Sequence, residues 1–134
     1  MEENLKQPNV ASQIGLAEMF DASIGKSTVL MPFGGKYQLT ETEGSVQKLP
    51  VFGFTNTCSI MTHGYHPELS LYSPYLGASY SVVEALARVT AMGGNYETCR
   101  LTNQEYFERL HTDPEKWGKP MQALLGLVEA QLAF

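Results

Sequence analysis

Residues 73–94, SPYLGASYSVVEALARVTAMGG, contain the clearest structural signal in the chain. Residues that suit one helix face recur there at three- and four-residue spacing: Tyr80, Val83, Leu86, Ala87 and Thr90. Gly93 and Gly94 follow directly, and glycine is the usual residue just past the end of a helix. The stretch therefore predicts a long helix over residues 76–92.

Downstream of this helix, the sequence predicts one strand and two helices. Residues 97–101 are predicted as a strand. Residues 102–105, TNQE, match a capping box, in which two side chains satisfy each other's backbone N–H groups, and predict a short helix through residue 110. Residues 121–134 predict an amphipathic helix from the spacing of Leu124, Leu125, Val128 and Leu132.

In residues 10–75, upstream of this helix, the sequence patterns that predict secondary structure are weaker. Residues 10–20 predict a short helix from the spacing of Ile14, Leu16, Ala17, Met19 and Phe20. Residues 27–33 are apolar and β-branched and predict a strand that ends in a turn at Gly34 and Gly35. Residues 38–49 show no strong period, residues 56–63 alternate as a strand does, and residues 65–75 contain two prolines that argue against regular structure.

Strands interspersed with helices predict an α+β fold, a small mixed β-sheet packed with helices. We expect a flexible segment at residues 1–9 and a single domain over residues 10–134, because a chain of 134 residues is short for two cores. A small sheet has exposed edges and a face that needs cover. Association with a partner domain is therefore expected.

Composition narrows the classes of partner. The net charge of −5 argues against nucleic acid and anionic lipid, which are bound through an excess of Lys and Arg. No apolar run has the length of a membrane helix and no signal peptide precedes the domain, so a cytoplasmic location is expected. Cys58 and Cys99 have no CxxC partner and are expected to be reduced and buried. The three histidines form no set with metal-ligand spacing.

Few residues point to chemistry. Gly34, Gly35 and Lys36 could hold a phosphate through backbone amides and an ammonium group, although a glycine pair after a strand is typical of a turn. Glu84 and Arg88 lie four residues apart on the predicted helix and can form a salt bridge. The loop with His66 and Glu68 places an imidazole near a carboxylate, as acid–base chemistry needs, but loop polarity explains it equally well.

Four tyrosines cluster around the long helix: Tyr65, Tyr72, Tyr75 and Tyr80. A tyrosine has an apolar ring and a polar tip, which suits an interface between domains and equally suits a half-buried core position. Both interpretations stay open from the sequence alone.

Four long segments of the chain identify a protein family more specifically than any single motif does. They are FDASIGKSTVLMPFGGKYQLT at residues 20–40, SPYLGASYSVVEALARVTAMGG at 73–94, RLTNQEYFERL at 100–110 and DPEKWGKPMQALLG at 113–126. Together they resemble the large, single-chain phosphoribosylformylglycinamidine synthases of purine biosynthesis, over residues 10–134. Within that family the stretch is similar to the start of the second of two synthase halves. Each half begins with a domain similar to the N-terminal domain of aminoimidazole ribonucleotide synthetase.

The resemblance implies an α+β domain whose small sheet pairs with that of the first half in a pseudo-symmetric barrel. It also implies the family's reaction, in which ATP and glutamine-derived ammonia convert formylglycinamide ribonucleotide to the amidine, with magnesium on the phosphates. We therefore expect the chain to be a piece of a longer protein, inactive alone and binding neither ATP nor magnesium tightly. Its expected partners are the remaining synthase domains and the glutaminase domain, or a second copy of itself in isolation.

In some members of the family the second half holds an auxiliary nucleotide, whose magnesium is ligated by an Asp, a Glu and an Asn. The resemblance places these ligands at Asn56, Glu84 and Arg88, so only Glu84 keeps its acidic oxygen. Hard metals prefer anionic or carbonyl oxygen, and a cation at position 88 would repel one. This departure favours the Glu84–Arg88 salt bridge over a metal site.

Two other functions remain open from the sequence. The first is a non-catalytic interaction or scaffold domain of the same fold, favoured by the missing ligands. The second is a small nucleotide-binding module built on Glu84 and on the turn at Gly34, Gly35 and Lys36.

Overall fold

The computed structural model describes residues 1–8, 10–12, 14–20, 25 and 27–134. The side chains of Leu16 and Phe20, whose spacing helped to predict the helix at 10–20, lie outside this description, as does part of the segment 20–40. Over the described residues the fold is α+β, with these elements in chain order: α1 (Glu2–Leu5), α2 (Ile14–Phe20), β1 (Phe33–Gly34), β2 (Thr40–Glu41), β3 (Gly44–Lys48), β4 (Cys58–Thr62), α3 (Pro67–Tyr72), α4 (Pro74–Ala91), a 3₁₀ helix (Tyr96–Thr98) and α5 (Pro114–Ala133).

The strands form two separate two-stranded antiparallel sheets, so the prediction of a single small mixed sheet is wrong. The chain divides into two compact units, residues 1–59 and residues 60–134. In the first unit, β1 pairs with β2, with Phe33 opposite Glu41. The second sheet joins β3 to β4, and β4 begins at the end of this unit.

Residues 27–49 correct one prediction from the sequence and contain two strands that it did not predict. The strand predicted at 27–33 is reduced to a bridge between Thr28 and Gln47 and to the short β1. The stretch 38–49, in which the sequence shows no strong period, contains β2 and β3. Strand β3 was missed because Val46 is its one apolar residue, so the sequence shows no alternation of apolar and polar residues there.

The second unit is built around α4 and α5. Its buried cluster consists of Val82 and Leu86 from α4 and Leu127 from α5, with half-buried apolar residues around it: Ala78, Cys99, Leu101 and Ala130. The helix predicted at 76–92 is confirmed as α4, and Gly93 follows it with a left-handed φ of 86°. Cys58 and Cys99 are free thiols, half-buried rather than buried.

The face of α4 that is covered differs from the predicted one. Val82, Leu86 and Val89 are buried, whereas Tyr80 and Val83 are 59% and 44% exposed. The helix therefore carries apolar side chains on two faces, and only one of them packs within this unit.

Both prolines of residues 65–75 begin helices rather than prevent them. Pro67 is the first residue of α3 and Pro74 the first residue of α4, where the N–H that proline lacks is not needed. Ser73 lies between them, and its hydroxyl accepts a hydrogen bond from the backbone N–H of Leu76 at 3.3 Å. The prediction that this stretch has no regular structure is wrong for this reason.

The segment 95–113 is also different from its prediction. A 3₁₀ helix, capped by the Asn95 side chain, replaces the strand predicted at 97–101. The helix predicted from the capping box at 102–105 does not form, since the next helix is α5. The segment carries few apolar residues to anchor a helix, and Tyr106 is 83% exposed.

The predicted C-terminal helix is confirmed but begins earlier, at Pro114. Asp113 caps it, its carboxylate accepting from the Glu115 N–H at 3.0 Å. Pro120 lies inside α5, where it removes one hydrogen bond of the helix ladder. Among the described helices, none combines the length and apolar character that crossing a membrane requires.

Candidate functional site

The most organised polar site lies where the loop after β4 meets α4, within the second unit. Three side chains fix this loop, and we refer to Thr62, Glu84 and Arg88 as the loop clamp. The Thr62 hydroxyl donates to the Ala85 carbonyl at 2.8 Å, and Glu84 Oε2 accepts from the Tyr65 N–H at 2.9 Å. Arg88 Nη1 donates to the carbonyl of His63 at 2.6 Å.

Gly64 allows the loop to approach the helix this closely. A Cβ atom at this position would overlap the carbonyl oxygen of Ser81 and lie 3.0 Å from the backbone nitrogen of Ala85. Both neighbours are backbone atoms of α4, which cannot rotate away as a side chain can. The loop clamp and Gly64 therefore both serve the contact between the loop and α4. The hydrogen bonds hold the loop against the helix, and the missing Cβ of Gly64 leaves room for that approach.

The salt bridge predicted from the spacing of Glu84 and Arg88 is present, with Glu84 Oε1 2.9 Å from Arg88 Nη2. The Arg88 side chain is 16% exposed and that of Glu84 37% exposed, so the pair is partly withdrawn from water. Both carboxylate oxygens of Glu84 are engaged, one by Arg88 and the other by the Tyr65 N–H. The arrangement suits positioning of a loop better than ligation of a cation.

The residues present do not fit the magnesium site that the resemblance implies. Asn56 is exposed, and its backbone carbonyl accepts from Cys58 Sγ at 3.6 Å. Among the residues that the structure describes, no three His, Cys, Asp or Glu side chains converge as metal ligands. A magnesium ion would meet an Arg88 guanidinium where it needs an anionic or carbonyl oxygen.

Gly34 is the last residue of β1, and Gly35 and Lys36 begin the turn to β2. Gly35 has a φ of 80°, and its carbonyl accepts from the Gln38 N–H at 3.1 Å. The Lys36 ammonium lies over the ring of Tyr37, 5.3 Å from its centre. The left-handed φ accounts for the glycine at position 35, and the proposed phosphate contact is left without a supporting feature.

His66 and Glu68 both serve the start of α3. The Nδ1 atom of His66 accepts from the Leu69 N–H at 3.1 Å, which makes this imidazole a helix cap. Glu68 lies in the first turn of the same helix, where a negative charge is favourable. The acid–base interpretation of this loop gains no support from these contacts.

The tyrosine cluster lies largely on the surface. Tyr65, Tyr72 and Tyr80 are exposed, as an interface between domains would need. Tyr75 instead joins α4 to α5, because its hydroxyl donates to the Glu129 carboxylate. This hydrogen bond to Glu129 raises the pKa of the Tyr75 phenol, since it favours the protonated form.

One pocket, of about 360 Å³, was not anticipated from the sequence. Val82 and Leu86 of α4 contribute to it, together with the segment 96–101 and the end of α5. The guanidinium of Arg100 donates to the backbone carbonyls of Cys99, at 3.0 Å, and Thr98. The pocket was missed because residues 97–101 were predicted as a strand, which would have directed these side chains differently.

Two substitutions at Glu84 separate the charge from the hydrogen bond. Glu84→Gln keeps an acceptor for the Tyr65 N–H and should lower the free energy of unfolding by at most about 1 kcal/mol, because partly exposed ion pairs contribute little. Glu84→Ala also leaves the N–H without its acceptor and should cost about 2 kcal/mol. Urea denaturation followed by circular dichroism measures both. Equal losses for the two variants would show that the hydrogen bond to the loop is unimportant.

Comparison with protein-family models, with curated proteins and with solved structures gave no match to the chain.

Proposed function

We propose that the chain is a non-autonomous domain of a large phosphoribosylformylglycinamidine synthase, equivalent to the start of its second synthase half. The proposal rests on the resemblance of the segments 20–40, 73–94, 100–110 and 113–126 to that family. The whole enzyme is an ATP-dependent carbon–nitrogen ligase with glutamine as the amide donor. This chain contributes to its architecture, in the cytoplasm of the cell.

The chain exposes more surface than compact proteins of the same size do, and this supports the proposal that it is one domain of a larger protein. The chain exposes 10757 Å². Two separate compact bodies of 59 and 75 residues, the sizes of the two units, would together expose about 8,400 Å². The excess, about 2,400 Å², is within the range that permanent protein interfaces bury.

Much of this surface is apolar. In the connection between β3 and β4, Val51 and Phe54 are 53% and 78% exposed, and Phe52 is fully exposed. In the second unit the exposed apolar residues include Leu71 and Tyr72 of α3, and α4 and α5 each present further ones. Contiguous apolar patches on a soluble protein mark contact surfaces. We assign the apolar surfaces of residues 51–54, of α3 and of α4 to contacts with the remaining synthase domains.

Within the proposed enzyme, the loop clamp keeps the loop at residues 63–66 fixed against α4. Among the described residues no three His, Cys, Asp or Glu side chains converge as metal ligands, and we assign ATP, magnesium and substrate to the other domains. Phosphoryl transfer depends on groups held in fixed positions, and a rigid loop and helix supply part of such a frame.

A growth experiment tests the proposed pathway. In-frame removal of the codons for residues 10–134 should leave cells unable to grow without added purine, and hypoxanthine should restore growth. The matched control is Gly118→Ala in the same gene, since a Cβ at Gly118 meets no atom within 4 Å. If the deleted strain grows at the parental rate without purine, the chain does not belong to purine synthesis.

The alternative is a non-catalytic scaffold domain of the same fold. One observation favours it: the carboxylate of Glu84, the acidic ligand that the family pattern keeps, is fully engaged by Arg88 and by the loop. A scaffold domain would leave the deleted strain able to grow without purine but would change which proteins co-purify with the gene product.

Calorimetry tests the remaining possibility, a nucleotide-binding module. We expect no heat of binding when Mg-ATP is titrated into the chain at millimolar concentration, because neither Glu84 nor the turn at Gly34–Lys36 offers an open phosphate or metal site. A saturable heat that disappears in Glu84→Gln would restore the nucleotide-binding hypothesis.

A further inference from the structure

Helix α5 is apolar on two opposite faces. One face packs on α4 through Ala123, Gly126 and Leu127, all of which are buried. The other face is exposed and consists of six large apolar side chains, which we call the α5 stripe: Trp117, Met121, Leu124, Leu125, Val128 and Leu132. A helix on the surface of a soluble protein normally carries polar residues on the face turned away from its core. The α5 stripe is therefore a contact surface.

The spacing of the α5 stripe is the same in both directions. From Trp117 to Leu132 the successive steps are 4, 3, 1, 3 and 4 residues, so the pattern reads identically from either end. A two-fold interface brings the same surface patch of two copies together. If a residue i contacts a residue j of the second copy, then residue j of the first copy contacts residue i of the second. A stripe of this symmetry fits itself when two α5 helices cross antiparallel at Leu124 and Leu125.

We propose that the α5 stripe pairs with the α5 stripe of a second copy of this chain, in an antiparallel two-fold dimer. The register sets Trp117 against Leu132 of the second copy, Met121 against Val128, and Leu124 against Leu125. No charged residue lies in the stripe, so two copies with a net charge of −5 each meet there without facing charges. The dimer depends on this chain alone and not on the function proposed above.

The area is sufficient for such a dimer. The six side chains are between 44% and 82% exposed. Taking roughly 150–250 Å² for a fully exposed large side chain, they present about 600 Å² per copy. Two copies would bury about 1,200 Å², at the lower end of specific protein interfaces. A dissociation constant on the order of 10 µM is expected, since interfaces of this size are weak unless they contain strong anchors.

Analytical ultracentrifugation of the 134-residue chain between about 2 and 200 µM measures this equilibrium. We expect a monomer–dimer transition, with a blue shift of the tryptophan emission as the concentration rises, because Trp117 is the sole tryptophan and is 56% exposed in one copy. A monomer at all concentrations would overturn the proposal.

Leu124→Glu places two like charges at the centre of the interface and should raise the dissociation constant at least about 100-fold. Gln122→Glu adds the same charge to the same helix beside the stripe and should leave the dimer intact. Circular dichroism shows whether each variant is folded. A dimer that survives in folded Leu124→Glu would place the interface elsewhere and overturn the assignment.

A charge exchange tests the register. Met121→Lys and Val128→Glu should each weaken the dimer, because each places a charge against an apolar side chain of the second copy. The double variant sets each lysine against a glutamate of the second copy and should recover at least about 10-fold in affinity over either single variant, provided the helices are antiparallel. Additive losses in the double variant would contradict the antiparallel pairing.

Discussion

Replacing Gly126 with alanine is expected to lower the free energy of unfolding of the second unit by about 3 kcal/mol. The added Cβ would overlap the carbonyl oxygen of Tyr75 and lie 2.9 Å from the Ser79 hydroxyl oxygen. That hydroxyl also donates to the Gly126 carbonyl at 3.1 Å, so the two helices touch here through backbone and a short side chain. Forcing α4 and α5 apart opens the cluster of Val82, Leu86 and Leu127 behind this contact.

Gly118→Ala is the matched control, the same substitution in the same helix. A Cβ at Gly118 meets nothing within 4 Å. Because alanine favours the helix over glycine by about 1 kcal/mol, this variant should be slightly more stable than the parent. Urea denaturation followed at 222 nm gives both values. If Gly126→Ala were as stable as Gly118→Ala, the helices would not be packed at the described distance.

Gly64→Ala is expected to cost a similar amount, about 3 kcal/mol, by pushing the loop at residues 63–66 away from α4. The added Cβ would overlap the Ser81 carbonyl oxygen, and the loop can relieve this only by moving outward. That movement breaks the hydrogen bonds of the loop clamp from Thr62, Glu84 and Arg88 together. Urea denaturation measures the loss, and amide exchange of Tyr65 should become faster than in the parent.

The comparison for Gly64→Ala is Thr62→Val, which removes one hydrogen bond of the loop clamp without adding volume near the backbone. It should cost about 1 kcal/mol. If the two substitutions had equal effects, the close approach of Gly64 to the helix would not matter, and the clamp would act through its hydrogen bonds alone.

The sequence predicted an element correctly where apolar residues recur at a regular helical spacing and a glycine marks the end of the helix. Helix α4 was predicted because its spacing is regular and Gly93 follows it. The covered face could not be predicted, because α4 carries apolar residues both at Val82 and Leu86 and at Tyr80 and Val83. Spacing shows that a face is apolar but not which neighbour lies against it.

Elements that depend on local chemistry or on distant contacts were harder to predict. The start of α5 was placed too late because Pro120 resembles a helix boundary, whereas Asp113 and Pro114 are the real N-terminal signal. Strand β3 was missed because only Val46 in it is apolar and buried. Strand β3 depends on contacts with distant residues, such as the antiparallel bridge between Thr28 and Gln47. The local sequence pattern does not predict such contacts.

The candidate site was predicted in part. The Glu84–Arg88 pair follows from four-residue spacing on a helix and is present. Its contacts with the carbonyl of His63 and the N–H of Tyr65 could not be inferred, because they join residues about 20 positions apart through an irregular loop. Gly64 was the available signal, since a glycine between polar residues can mark close backbone approach.

The most direct test of the proposed function is an assay of the product of the gene that encodes this chain. The purified protein should convert formylglycinamide ribonucleotide to the amidine only when ATP and either glutamine or ammonia are present, with one phosphate released for each amidine formed. The product is measured by chromatography and the phosphate by colorimetry. A folded protein that forms no amidine under these conditions would contradict the proposal that the chain is part of a phosphoribosylformylglycinamidine synthase.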